Sequence, residues 1–134
     1  VGRQFFPYLM LADFRLDSLE PLIDEKEPSF EEQNPAWSPD GNQLAFARRR
    51  LDRRAGWGHQ LALYNMDTGE VIQLTRDGNY NNTAFQWDPS GQLIVIQRFN
   101  LDAQYAQAEL WVFDLGAGTL IQVADNGFGG QWLP

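Results

Sequence analysis

The string Trp-x-Pro occurs three times in this chain of 134 residues, at Trp37-Ser38-Pro39, Trp87-Asp88-Pro89 and Trp132-Leu133-Pro134. The first two continue into the turns Pro39-Asp40-Gly41 and Pro89-Ser90-Gly91, and the third stops at its proline. A unit recurring at 50 and then 45 residues specifies an architecture, because such a unit buries its apolar faces only against neighbouring copies of itself. Val1-Gly2 carries the x-Gly that the third turn lacks, so the chain is expected to open and close inside one shared turn.

Aligned on the tryptophans, each unit reads as four short strands. Asn34-Pro35-Ala36-Trp37 and Ala84-Phe85-Gln86-Trp87 end the first strand. Proline presets φ at the second turn position and glycine closes the turn. Gln43 to Arg48 and Gln92 to Arg98 follow, apolar almost without interruption, as suits strands covered on both faces. Gln60 to Asn65 and Glu109 to Asp114 return, and the hairpin signals Asp67-Thr68-Gly69 and Leu115-Gly116-Ala117-Gly118 lead into Val71 to Leu74 and Leu120 to Val123. There is no helical periodicity. Four strands per repeat without helices describe a β-propeller blade.

The expected division is a partial blade at 1–33, blades at 34–81 and 82–127, and an innermost strand at 128–134. Leu9 to Phe14 and Leu19 to Ile23 suit third and fourth strands, with Arg3 to Phe6 as a short second one. One long strand over residues 3–16 is the alternative.

With the Trp-Ser-Pro-Asp-Gly turn, Leu44-Ala45-Phe46 and the run Asp67 to Thr75 in view, the chain resembles the TolB-like β-propeller repeat family. It departs from that pattern at Ser90, where aspartate is expected, and at Leu133, where serine is usual. The WD-repeat pattern fits less well, since no third strand ends in Trp-Asp. The resemblance implies a propeller, most often six-bladed, acting as a protein-interaction scaffold in the bacterial periplasm. Related repeats serve as accessory domains of serine peptidases.

Three blades form an arc with two open apolar ends, more exposed apolar surface than a monomer ordinarily tolerates. Two copies give six blades. The expected assembly is a homodimer in which each C-terminal strand completes the other copy's N-terminal blade by strand exchange. The competing expectation is that these residues belong to a longer single-chain propeller.

A net charge of −8 argues against nucleic acid as partner, because duplex binding neutralises phosphates with cations. No apolar run is long enough for direct membrane insertion. Seven acids fall between Asp17 and Glu32, and five of nine arginines between Arg48 and Arg54. Solvated acidic and basic loops are the first reading; complementary surfaces, or one wall of an anion-binding mouth, are the second.

No catalytic residues, metal or cofactor are expected. None of four serines lies in a Gly-x-Ser-x-Gly elbow, there is no cysteine, and the only histidine, His59, sits in a loop. The repeated tryptophans are expected to pack blades. Candidate binding residues are Ala36, Gln86 and Gln131 before each Trp, Asn34 and Asn82 at the rim, and Arg48 and Arg98 at equivalent strand ends. Trp57, flanked by glycines after the arginine run, has the composition of an interface anchor. The expected function is a non-catalytic scaffold binding a protein or peptide through loops or channel mouth. The alternatives are an accessory propeller of a hydrolase or peptidase, and a binder of a small ligand or glycan.

Overall fold

The computed structural model describes residues 7–23, 30–52 and 56–133. Ten strands and no helix occur among them. The hairpin β1 (Met10–Asp13) and β2 (Ser18–Pro21) stands alone. One four-stranded antiparallel sheet orders β3 (Phe30–Trp37), β4 (Gln43–Arg50), β5 (Gln60–Asn65) and β6 (Val71–Gln73). The other orders β7 (Tyr80–Trp87), β8 (Leu93–Asn100), β9 (Ala108–Asp114) and β10 (Thr119–Ala124). The four-strand reading thus holds for both complete units. The first and second strands begin or end further out than their sequence limits suggested. Phe30 pairs with Arg50 and Tyr80 with Asn100, beyond bulges at Gln33/Ala36 and Asn82/Ala84. Asn34 sits in its bulge at φ +55°, a conformation asparagine tolerates better than most residues.

The core lies between the two larger sheets. Ala45, Leu61 and Leu63 meet Trp87, Ile94, Ile96 and Phe113 there. In β4 the four consecutive residues Leu44, Ala45, Phe46 and Ala47 are buried, as expected for a strand covered on both faces. The matching strand β8 alternates instead. Ile94, Ile96 and Arg98 are buried, while Leu93, Val95 and Gln97 are only partly covered. The sequences are alike; the difference is that a full sheet covers just one face of β8.

Three main-chain bonds repeat along the chain. Glu32 N–H donates to Pro7 O at 2.9 Å, Asn82 N–H to His59 O at 3.0 Å, and Gly127 N–H to Ala108 O at 2.9 Å. Leu22 N–H also bonds Leu9 O as Leu74 N–H bonds Leu61 O. These parallels relate β1 and β2 to β5 and β6, and β1 is too short for the single long strand over 3–16. The proposed second strand at Arg3 to Phe6 lies outside the described residues, as do the Val1-Gly2 and Pro134 halves of the shared turn.

The tryptophans form a second series. Trp87 Nε1 donates to Ala36 O at 2.9 Å, and Trp132 Nε1 to Gln86 O at 3.2 Å. Residues 128–132 therefore lie where the next unit's innermost strand would lie, although they form no regular strand. Gly129 N–H bonds Gln97 Oε1, and Phe128 packs near Phe99 at 6.5 Å.

Ser90 does not weaken its turn. In the first turn Asp40 accepts from the Ser38 hydroxyl at 2.6 Å and from Asn42 N–H, and Ser38 Oγ accepts from Gln43 N–H. In the second the two residue types exchange places. Asp88 accepts from the Ser90 hydroxyl at 2.5 Å and from the N–H groups of Gln92 and Leu93 at 2.9 and 2.8 Å. The Asp–Ser staple survives with its order reversed. Burial pushes the Asp88 carboxyl up, but the Ser90 hydroxyl and three backbone N–H groups outweigh that and hold it below the usual carboxylate range. A folded value below the unfolded one contributes stability above about pH 3.9, lost as pH falls through the folded value. Asp88→Asn is therefore expected to melt lower at neutral pH and to lose less on acidification from about pH 4 to pH 2. Thermal melts across that range check this, and parallel curves would contradict it.

Candidate functional site

The strand directions separate two ends of the sheets. Trp-x-Pro turns and the hairpin at Asp67-Thr68-Gly69 occupy one end; the arginine-rich segment after β4 and the connection from β6 to β7 share the other. At this second end β3 and β4 bring the acidic and basic runs together. Glu31 pairs with Arg49 and Glu32 with Arg48 in the strand register. Arg49 Nε lies 2.5 Å from Glu31 Oε1 and Arg48 Nε lies 3.7 Å from Glu32 Oε1. Both acids are buried, so the solvated-loop reading fails where the runs meet. An unpaired carboxylate buried there would cost several kcal/mol, on the order of 3–5, which the facing guanidinium offsets. Arg48 also stacks over the Phe30 ring at 3.4 Å. Asp24 to Ser29 and Arg53 to Ala55, the remainders of these runs, lie outside the described residues.

His59 is a packing residue at the junction of the two sheets. Its Nε2 lies 2.8 Å from Glu31 Oε1, an ion-pair distance but out of line for a hydrogen bond. Its Nδ1 lies 3.1 Å from Asn81 Oδ1, which also accepts from His59 N–H at 2.9 Å. Gly58 makes this approach possible. A Cβ there would sit 2.0 Å from Tyr80 O. Gly58→Ala is expected to push the segment off β7 and cost about 1–3 kcal/mol, read as a lower melting temperature. An unchanged melt would show that the contact yields.

The candidate residues divide sharply. Asn34, Gln86 and Gln131 are exposed, and Trp57 is 86% exposed. Ala36 and Gln86 take part through their carbonyls, as acceptors for the next unit's tryptophan, a role that sequence spacing alone did not show. Asn82 is fully buried and does not present polar groups at a rim; its Nδ2 donates to His59 O at 2.7 Å. Arg98 is 2% exposed, clamped between the rings of Tyr80 at 4.0 Å and Trp111 at 4.8 Å. Strand parity turns its guanidinium into the sheet–sheet interface, on the same face as Ile94 and Ile96. Burial disfavours its charge, while Tyr80, Asp77 and Glu109 act the other way. Burial, then Glu109, push the Tyr80 hydroxyl above its ordinary value. Arg48 is largely covered and is placed against Glu32.

A cavity of about 120 Å³ is lined by Arg48, Arg49, Arg50, Arg76, Gln60, Gln73 and three glycines, Gly56, Gly58 and Gly78; Trp57 is not among its lining residues. A larger hollow of about 330 Å³ lies between β7, β8 and residues 129–131. A third, of about 380 Å³, separates the two Trp-x-Pro turns. Among the described residues no three potential metal-binding side chains converge.

No protein-family model matches the sequence, and no curated protein matches it. Solved structures do share its fold. A TolB candidate protein of Agrobacterium tumefaciens superposes at a TM-score of 0.68 with 18% identity, over 86% of this chain and 40% of its own. An oligogalacturonate lyase crystallised with manganese gives 0.63 at 21% identity over 86% of this chain, and the tricorn protease 0.62 at 14% over 88%. This chain spans 28% and 11% of those two proteins. The protein is all-β, and its structural neighbours are TolB-like propellers and the propeller domains of enzymes.

Proposed function

We propose that this chain is a non-catalytic, TolB-like propeller segment that binds a protein or peptide through the loops at the arginine-bearing end of its blades. The supporting observation is the repeated docking of successive units. The same bond, in Glu32 to Pro7, Asn82 to His59 and Gly127 to Ala108, fixes that end of each blade against the next. Loops held on such a frame present contacts at little entropic cost. Selection from a random peptide-display library, with binders mapped by loop substitutions, tests this reading. Failure to recover any binder sensitive to those loops would overturn it.

In the same reading the ring closes at six blades through a second copy. Trp37 is 49% exposed and donates to no described acceptor, whereas Trp87 and Trp132 donate to the carbonyls of Ala36 and Gln86. By the repeat, the acceptor for Trp37 is the carbonyl of Gln131 in the partner copy. Light scattering on a sizing column is expected to give twice the single-chain 15.3 kDa. A monodisperse single-chain species would remove closure by a second copy and leave the loop-binding reading standing. A second reading, an accessory propeller of a hydrolase, takes its support from the likeness of the fold to part of the tricorn protease. Labelling of the native polypeptide by a serine-directed fluorophosphonate would support that alternative.

A further inference from the structure

We infer that the outer edge of β10 takes up an extended peptide segment as a fifth strand of its four-stranded sheet, held by main-chain hydrogen bonds and selected for basic residues at its ends. This goes beyond the loop-binding role proposed above. The edge runs along the outside of the sheet, whereas that role uses the loops at one end of the blades.

β10 stands at one end of the order β10-β9-β8-β7, so among the described residues one side of its backbone faces no other strand. A strand so placed presents a row of unpaired N–H and C=O groups, which folded proteins blunt by short length, charge, proline or a bulge. β6 and β2, which close their sheets as β10 does, follow that rule. β6 is three residues long, Val71–Gln73, and β2 carries Glu20 and Pro21. β10 spans six residues, Thr119–Ala124, with neither charge nor proline. Its bulge falls between Gln122 and Ala124, so Thr119 to Gln122 keep regular pairing with β9. Ile121 is 61% exposed and Val123 57%, while Leu120 packs against the core. An incoming strand would set its own apolar side chains beside Ile121, within cross-strand reach.

Charge selects the occupant. Beyond Arg98 the sequence holds Asp102, Glu109, Asp114 and Asp125 and no lysine or arginine. Asp114 pairs with Thr119 at the start of the edge, and Asp125 follows Ala124 at its end. A carboxylate thus flanks each end of β10. Asp114 Oδ1 accepts from Ala117 N–H at 3.0 Å and Asp125 Oδ1 from Gln122 Nε2 at 2.9 Å. Both keep lone pairs for a cation, since a carboxylate offers about four acceptor sites. A second copy, at net charge −8, would bring like charges to the same edge. An extended segment with lysine or arginine at its ends brings the opposite charge.

The test measures binding of the synthetic peptide Lys-Val-Thr-Val-Thr-Val-Lys to the intact chain, with amide hydrogen exchange of Thr119 to Ala124 followed alongside. The peptide is expected to bind, to slow exchange in β10, and to bind at least about tenfold more tightly than its glutamate-ended counterpart. Methylating alternate backbone nitrogens of the peptide removes the donors a ladder needs and is expected to abolish binding. Ile121→Lys, a surface change, is expected to weaken the peptide by about tenfold or more through like charge on the edge. Ile72→Lys, at the matching place in β6, is expected to leave binding unchanged. Should Ile121→Lys lower the melt, exposed Thr119→Lys takes its place. No binding, equal binding of the lysine and glutamate peptides, or full binding of the methylated peptide overturns the inference. So do equal effects of the β10 and β6 lysine variants, and slowed exchange that spares β10. Loop substitutions at the arginine-bearing end test the loop-binding role alone, so the two readings fail separately.

Discussion

Trp87→Ala is expected to cost about 3–5 kcal/mol of folding stability, and Trp37→Ala, at the same position of the preceding unit, about 1–2 kcal/mol in a dilute sample. Trp87 is 7% exposed and packs in the core against the preceding sheet, with its indole N–H on the Ala36 carbonyl. Removing the ring opens a cavity between two rigid sheets that cannot collapse into it, and it leaves that carbonyl without its donor. Trp87→Phe keeps much of the apolar area and should cost the smaller share set by the lost hydrogen bond, about 1 kcal/mol, plus imperfect packing. Trp37 has half its surface in water and no described acceptor, so its deletion forfeits less. Urea denaturation of each variant at low protein concentration reads the difference. Equal losses there would contradict burial set unit by unit. If a second copy closes the ring on Trp37, the cost of Trp37→Ala should instead grow with protein concentration, because partner binding adds to apparent stability.

That contrast also marks what the amino-acid sequence could show. Two four-stranded sheets, their hairpins and the separate strand pair β1 and β2 were legible, because turn glycines and prolines constrain the backbone locally and apolar runs mark the strands. Strand limits slipped outward at Phe30 and Tyr80, since the bulges at Asn34 and Thr83 resemble strand starts when only polarity is read. The Asp–Ser exchange between the two turns is visible once both side chains are seen as one staple, but a consensus position by position registers it as a loss. The site was legible in part. Trp57 stands exposed, and among the described residues Glu31 and Glu32 face Arg49 and Arg48. Arg98 and Asn82 went the other way. Period alone places them at strand ends; the face of Asn82 depends on the bulge in β7, while unbroken alternation from Ile94 and Ile96 turns Arg98 inward.

The buried position of Arg98 leads to a prediction opposite in sign to its repeat partner. Arg98→Ala is expected to cost about 3–5 kcal/mol, because it empties the slot between Tyr80 and Trp111. Arg98→Met is expected to be nearly neutral, within about 1 kcal/mol, or stabilising. The guanidinium Nε is buried without a hydrogen-bond partner among the described residues, and so is Asn82 Oδ1 across the strand pair. The nearby Glu109 already accepts from Trp111 Nε1 at 2.7 Å. A charge that is desolvated but incompletely satisfied contributes chiefly through its stem and its plane, and a methionine supplies an apolar stem of similar reach. Arg48→Met should behave differently. It removes the cation facing buried Glu32, and the carboxylate left behind makes the change strongly unfavourable. Denaturation midpoints of the two methionine variants decide the matter. A loss at Arg98→Met as large as at Arg48→Met would mean that the sheet interface needs the charge of Arg98 and not only its shape.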